Sequence, residues 1–284
     1  MVPSRIPDIA DIMSESESHS RPNGVAKTAR PLPDICYTLR QKVLAFLDEN
    51  LTDPTLSNVQ SQVRIANGVI EDALRRYGNE HLSISYNGGK DCLVLLILIL
   101  ACLPAVHPSS TANSDSSDSS QPPSDPQPLK ALYIVSSKPF QEVEDFVAET
   151  SKEYHLDLDR YATKMRPALE EYLAKRPEVK AIFMGTRRTD PHAESLTHFD
   201  MTDKDWPQFM RVHPVIDWHY VEIWAFIRHL QIPFCELYNR GFTSLGGVTD
   251  TRPNPALAVD NNSQKFRPAY ELRDDDEERL GRDR

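Results

Sequence analysis

The stretch from Cys92 to Leu103, CLVLLILILACL, contains no polar residue. It is too short to cross a bilayer, which takes about 20 residues. A helix that is apolar all round must be covered on every side by other elements. The flanking sequence supplies those layers. Before it, CYTLRQKVLAFLDEN (36–50) and PTLSNVQSQVRIANGVIEDALRRYG (54–78) have helical spacing. In the second, Leu56, Val59, Val63, Ile70 and Leu74 fall near one face; Pro54 suits a first helical turn and Gly78 a stop. Around and after it, LSISY (82–86), ALYIVS (131–136), DLDRYAT (157–163) and KAIFMG (180–185) read as strands. Between and beyond them, QEVEDFVAETSKEYH (141–155), PALEEYLAKRP (167–177) and HYVEIWAFIRHLQ (219–231) read as helices. Strands alternating with helices imply right-handed crossovers and a mostly parallel central sheet with helices on both faces. The expected fold class is α/β: a single domain over residues 31–284 with a helical N-terminal layer.

Two stretches fall outside this pattern. Residues 1–30 are polar and rich in Ser and Pro, and read as a tail. Residues 104–128, PAVHPSSTANSDSSDSSQPPSDPQP, cannot support a core and read as a disordered insertion. Lys plus Arg number 32 against 42 Asp plus Glu, a net charge of −10. That balance argues against nucleic acid as a partner, which needs a concentrated basic surface. No segment has signal-peptide or membrane-spanning character. Cys36, Cys92, Cys102 and Cys235 show neither zinc spacing nor a disulfide framework, which fits a reducing, cytoplasmic setting. A monomer acting on small molecules is the expected state.

In a sheet of this kind ligands bind beyond the carboxyl ends of the strands. The turns at 87–91, 136–140 and 185–191 each follow a strand and should share one crevice. The insertion joins a helix end to a strand start and belongs at the opposite end. The first turn is the sharpest local signal. Asn87-Gly88-Gly89-Lys90-Asp91 leads from a strand directly into the apolar helix. Two adjacent glycines let the backbone turn tightly and approach a ligand closely. The helix N-terminus adds unpaired N–H groups and partial positive charge, a cradle for phosphate. Lys90 adds a mobile charge. Asp91 either caps the helix or helps to hold Mg2+ through water. The loop is not G-x-x-x-x-G-K-[ST]. Ser85 and Ser136, at the ends of two neighbouring strands, complete the expected phosphate-binding set.

The strand–NGGKD–helix pattern resembles the pyrophosphate-binding loop of the PP-loop ATP pyrophosphatases, usually written SGGxDS, with Asn87 and Cys92 in place of its serines. Three further stretches narrow the resemblance: FMGTRRTDPHAESLTHFDMTDKDWPQFMRVHPVIDW, PFCELYNRGFTSLGGVTDTRPNPAL and RPAYELRDDDEERLGR. With SYNGGKD they resemble the eukaryotic FAD synthases (FMN adenylyltransferases) of the phosphoadenosine phosphosulfate (PAPS) reductase-like branch, over most of residues 36–284. The resemblance implies the adenine nucleotide α-hydrolase-like fold and the reaction of ATP and FMN to FAD and pyrophosphate with Mg2+. It marks Asn87, Asp91, Asp190, Asp203, Arg279 and Arg282 as catalytic, and Asp91 and Asp190 as metal ligands. It marks Gly185, Arg187, Arg188, Asp190, Trp206, Arg240, Gly241, Ser244 and Gly246 as the flavin-binding set.

Plainer readings stand beside these. RRTDP also reads as a capping turn, with Asp190 touching either metal or flavin. Asp203 also reads as a helix N-cap. Trp224, among Val221, Ile223 and Phe226, reads as core, whereas Trp206 before Pro207 reads as a flavin neighbour. The run Asp274–Glu278 reads as a solvated helix face, with Arg279 and Arg282 on one face of the helix. Two alternatives to FAD synthesis are a PAPS reductase-like enzyme and a nucleotide-binding scaffold without activity. The first needs a nucleophilic thiol in a mobile C-terminal segment, and the last cysteine is Cys235.

Overall fold

The computed structural model describes residues 30–106, 126–260 and 265–283. The tail expected over residues 1–30 lies, but for Arg30, outside the described residues, as do residues 107–125 of the insertion. In chain order the elements are α1 (Leu32–Asp48), α2 (Pro54–Tyr77), β1 (Leu82–Ser85), α3 (Lys90–Val106), β2 (Lys130–Ile134) and α4 (Gln141–Glu153). They continue with β3 (Asp157–Tyr161), α5 (Met165–Lys175), β4 (Ala181–Phe183), β5 (Phe199–Met201), β6 (Met210–Val212) and α6 (Tyr220–His229).

The six strands form one sheet in the order β3-β2-β1-β4-β6-β5, parallel except for β5. Side chains alternate across it. Leu82, Ile84, Tyr133 and Phe183 join the main core, while Leu132 and Ile182 join a second cluster with Leu169 and Tyr172 of α5. Ser83 faces that second side too, and its hydroxyl shares a 2.6 Å hydrogen bond with Tyr172 Oη. α3 and α4 therefore cover one face and α5 the other, as crossovers in opposite directions require.

The apolar helix is covered as its composition demands. From Leu93 to Leu103 every residue of α3 is buried. α1, α2 and α6 enclose it on the side away from the sheet. Each buried Leu or Ile there contributes about 1.5–3 kcal/mol relative to exposure. Asp53 caps α2, accepting from Thr55 N (2.7 Å) and Leu56 N (3.4 Å), and Gly78 ends it at φ +70°.

Three elements differ from the sequence reading. α1 begins at Leu32, because Pro33 is tolerated in its first turn and Leu32 and Ile35 are buried. α3 runs on through Pro104 to Val106, so the insertion opens later than residue 104. Its far foot is fixed where Asn79 Nδ2 donates to Gln127 O at 2.9 Å. The third is the β5–β6 hairpin, which the sequence reading did not contain; its strands have three residues each and exist by pairing with β4.

Candidate active site

β1 lies between β2, reached by the first crossover, and β4, reached after the chain turns back. The crossovers that follow β1 and precede β4 therefore run in opposite directions, and this switch point is where open α/β sheets bind ligands. Tyr86 anchors the first loop. Its N–H donates to Leu132 O (2.9 Å), and its buried hydroxyl bonds Thr150 Oγ1 (2.8 Å). Asn87 is exposed, and its Oδ1 accepts Gly89 N at 2.9 Å. Gly88 has φ +71°, and a Cβ there would lie 2.8 Å from Val147 Cγ2 of α4. Two constraints thus require glycine at this position. Lys90 N, at the start of α3, donates to Tyr238 Oη at 2.8 Å. Gly185, after β4, packs against this helix start; a Cβ there would lie 2.9 Å from both the N and the Sγ of Cys92.

Beneath the loop is a buried cluster of charge. Lys90 is 2% exposed, and its Nζ reaches Asp91 Oδ2 at 3.0 Å and Glu278 Oε1 at 2.5 Å. Arg187, wholly buried, forms ion pairs with Asp91 Oδ1 (2.9 Å), Asp275 Oδ1 (3.3 Å) and Glu278 Oε2. Burial pushes the Asp91 carboxyl up, but Lys90 and Arg187 outweigh it and hold the group below its ordinary value. Burial works against the charge on Lys90 as well, yet Asp91 and Glu278 raise its pKa. Both cations stay charged inside the fold because each meets carboxylates.

This corrects four expectations. Lys90 is not a mobile charge. Arg187 does not face a ligand; it holds the crevice floor. Arg188 ties the 185–191 turn to the protein, through Asp217 (2.7 Å) and the carbonyls of Glu194 and Leu196 (3.0 Å each). The run Asp274–Glu278 is not a solvated helix. Asp275–Glu277 form a 3-10 turn and Glu278 is buried, since its carboxylate meets two cations that need it.

The C-terminal segment nonetheless folds onto the crevice. Arg282 donates from Nη1 to Leu245 O (3.0 Å) and its Nη2 stands 3.5 Å from Asp250. Its guanidinium covers Gly246, where any Cβ would collide with it. Gly247 lies against Ser136, whose Oγ would be 2.6 Å from a Cβ there. Ser136, Gly246, Gly247 and Arg282 thus share one rim, and Ser244 precedes it in the chain. Arg279 is exposed beside them, on a turn rather than a helical face.

Arg240 and Gly241 belong to the turn that carries Tyr238, beside the phosphate loop. Arg240 is exposed and pairs with Glu142 at 2.9 Å, and Gly241 ends a 3-10 turn at φ +84° against Phe266. Asp203 and Trp206 sit in the β5–β6 connection, at the amino end of β6 and away from the phosphate loop. Asp203 is exposed and caps no helix; its carbonyl accepts Trp206 N at 2.9 Å. Trp206 is half-buried against the second apolar cluster, which also takes in Ile134 and Met184 at the carboxyl ends of β2 and β4. Trp218 and Trp224 are core residues, 1% and 2% exposed.

Asp190 holds its own turn, accepting Arg187 N on Oδ2 at 2.9 Å, and among the described residues no hydrogen bond reaches its Oδ1. No group of three or more metal-ligating side chains forms among the described residues. With both Asp91 oxygens engaged, these carboxylates are no protein cage for a cation. They do fit a magnesium ion held mainly by substrate phosphates and by one or two carboxylates.

The comparisons with known proteins identify the family. Residues 81–171 and 160–253 match the phosphoadenosine phosphosulfate reductase domain family. The chain is 37% identical over 242 residues to the probable FAD synthase of Schizosaccharomyces pombe, covering 85% of this chain and 86% of that protein. The chain belongs to the FAD synthase family. Its similarity to the probable FAD synthase of Caenorhabditis elegans is 32% over 241 residues, covering 84% of this chain and 43% of that longer protein. The crystal structure of Candida glabrata FMN adenylyltransferase with FAD and inorganic pyrophosphate superimposes with a TM-score of 0.79 at 30% identity, covering 89% of this chain and 97% of that one. In this FAD synthase-family chain the residue after Asp91 is a cysteine. Burial pushes the Cys92 thiol up to about 12, so it stays protonated. Sequence reasoning missed Tyr238, Thr243, Asn254, Asp275 and Glu278, which support the loop and its charges from below. Only the ELYNRGFTS and acidic stretches pointed toward them.

Proposed function

We propose that this protein transfers the AMP moiety of ATP to FMN, giving FAD and pyrophosphate. An oxygen of the FMN phosphate attacks the α-phosphorus of ATP. The bond from that phosphorus to the oxygen bridging to the β-phosphate breaks, and pyrophosphate leaves with the electron pair. The substrate brings its own nucleophile, so the protein's task is alignment and charge.

One observation carries this reading: Lys90 and Arg187 tie the Asn87–Asp91 loop, the turn that carries Asp190 and the segment that carries Arg279 to one another. The turn at Gly88 and the positive end of the α3 dipole take the triphosphate. Arg279, Arg282 and Ser136 face the phosphates from the opposite rim. Asp190, with Asp91 through water, holds magnesium. When bound, the ion neutralises charge on the phosphates. A monomer acting in the cytoplasm belongs to the same reading, in keeping with four free thiols among the described residues and no helix there long and apolar enough to cross a membrane.

Reductase chemistry is disfavoured. Burial pushes the thiols of Cys36, Cys92 and Cys102 up to about 12 and also raises that of Cys235, so none is an activated nucleophile. The test is incubation of the purified protein with FMN, ATP and Mg2+, followed by chromatography. FAD appearing with equimolar pyrophosphate supports the reading; unchanged FMN with active-folded protein overturns it.

A further inference from the structure

Glu278 is a buried carboxylate 188 positions along the chain from Lys90. It bridges the two buried cations of the site, Lys90 on the phosphate loop and Arg187 on the turn after β4. Its carbonyl is held as well, by Thr243 Oγ1 at 2.6 Å, and Asn254 Nδ2 binds Thr243 Oγ1 (2.9 Å) and Glu277 O (2.7 Å). Asp275 is fixed at one side of it by Tyr220 N (2.6 Å) and His219 Nδ1 (2.7 Å). Gly281 and Asp283 are fixed at the other, Gly281 O accepting Arg252 N (2.9 Å) and Asp283 N donating to Asp250 O (3.0 Å). Between these anchors stands Arg279, exposed and without a side-chain partner among the described residues.

We infer that Glu278 is a positioning residue: its carboxylate locks the C-terminal segment to the phosphate loop and so aims Arg279 into the crevice. The geometry gives each part of the segment a reason. A solvated tail would not bury a carboxylate between Lys90 and Arg187. An arginine adjacent to that carboxylate, held by anchors on both sides but unpaired itself, is pre-organised for an anion. Displacement of such a group by about 1 Å costs roughly 100-fold in rate.

The inference rests on the proposed adenylyl transfer for one readout and is independent of it for the other. The variants are Glu278→Gln, which keeps the shape and removes the charge, and Thr243→Val, which loosens the same segment and leaves every charge in place. In the first readout, kcat for FAD formation is measured for Glu278→Gln, Arg279→Ala and the double variant. If Glu278 aims Arg279, each single change lowers kcat by about 10- to 100-fold and the double variant falls little further than the worse single one. Losses that multiply would show that Glu278 and Arg279 act independently and would overturn the inference. In the second, tryptic cleavage after Arg279 is followed in the native protein without substrates. Glu278→Gln should accelerate it at least about tenfold and Thr243→Val by less, with each increase scaling with freed segment motion. Unchanged cleavage in both variants would overturn the lock even were the protein to make no FAD.

Discussion

At the scale of single residues, the site is organised by two buried cations, Lys90 and Arg187, and the carboxylates that neutralise them. Asp91 bonds Lys90 with one oxygen and pairs with Arg187 through the other. Its removal leaves two cations short of a partner directly beneath the phosphate loop. Asp91→Ala is expected to lower kcat by at least about 1,000-fold and to destabilise the fold by about 3–5 kcal/mol, the usual cost of breaking a buried pair. Steady-state rates and urea unfolding check both numbers; a near-normal rate would remove Asp91 from the mechanism. Gly88 is constrained by its backbone and its neighbour together. Gly88→Ala meets left-handed backbone cost and Val147 at 2.8 Å. A loss of about 2–4 kcal/mol is expected from these two effects, with weaker ATP binding in the same variant. Calorimetry gives the first and titration with a non-hydrolysable ATP analogue the second. The role of Glu278 was not legible in the sequence. A run such as DDDEE looks like solvated surface until Lys90 and Arg187 are brought to it from far along the chain.

At the scale of elements, the local pattern decided most of the layout. The apolar segment after NGGKD could be stable only if enclosed, and α3 is enclosed by the sheet, α1, α2 and α6. β1, β2 and β4 and the helices around them carry enough contiguous apolar residues to be read directly, and the edge strand β3 is read from its place between two helices. The β5–β6 hairpin does not, because three-residue strands draw their stability from register with β4 rather than from their own composition. That omission has a consequence: the sequence puts Asp203 in the catalytic set and Trp206 beside the flavin, whereas the hairpin carries both to the amino end of β6. The connection from α3 to β2 follows the topology. Replacing residues 107–125 by a short Gly-Ser linker should leave kcat and both KM values within about twofold, since the connection joins a helix end to a strand start away from the crevice. A tenfold loss would contradict that placement.

At the scale of the whole molecule, the fold carries one buried base that the site does not use. His213 follows β6, is 1% exposed, and neither of its ring nitrogens has a hydrogen-bond partner among the described residues. Burial, aided by Arg211, lowers its pKa from 6.5 to about 4. The folded state thus binds this proton less readily than the unfolded chain. The stabilising difference is fully present above pH 6.5 and is lost as the pH falls through about 4. The loss reaches about 3 kcal/mol, and His213→Gln should flatten the pH dependence of stability across that window. Urea unfolding at pH 4 to 7 measures it, and an unchanged slope would contradict the buried neutral ring.

The central claim concerns where a triphosphate and a flavin phosphate meet. The most direct measurement is a crystal structure of this protein with FMN and a non-hydrolysable ATP analogue. The account predicts the β- and γ-phosphates against the turn at Gly88 and the start of α3. It also predicts Arg279 on the phosphates, and the FMN phosphate in line with the α-phosphorus. A triphosphate bound elsewhere on the protein, with the Asn87–Asp91 loop empty, would contradict it.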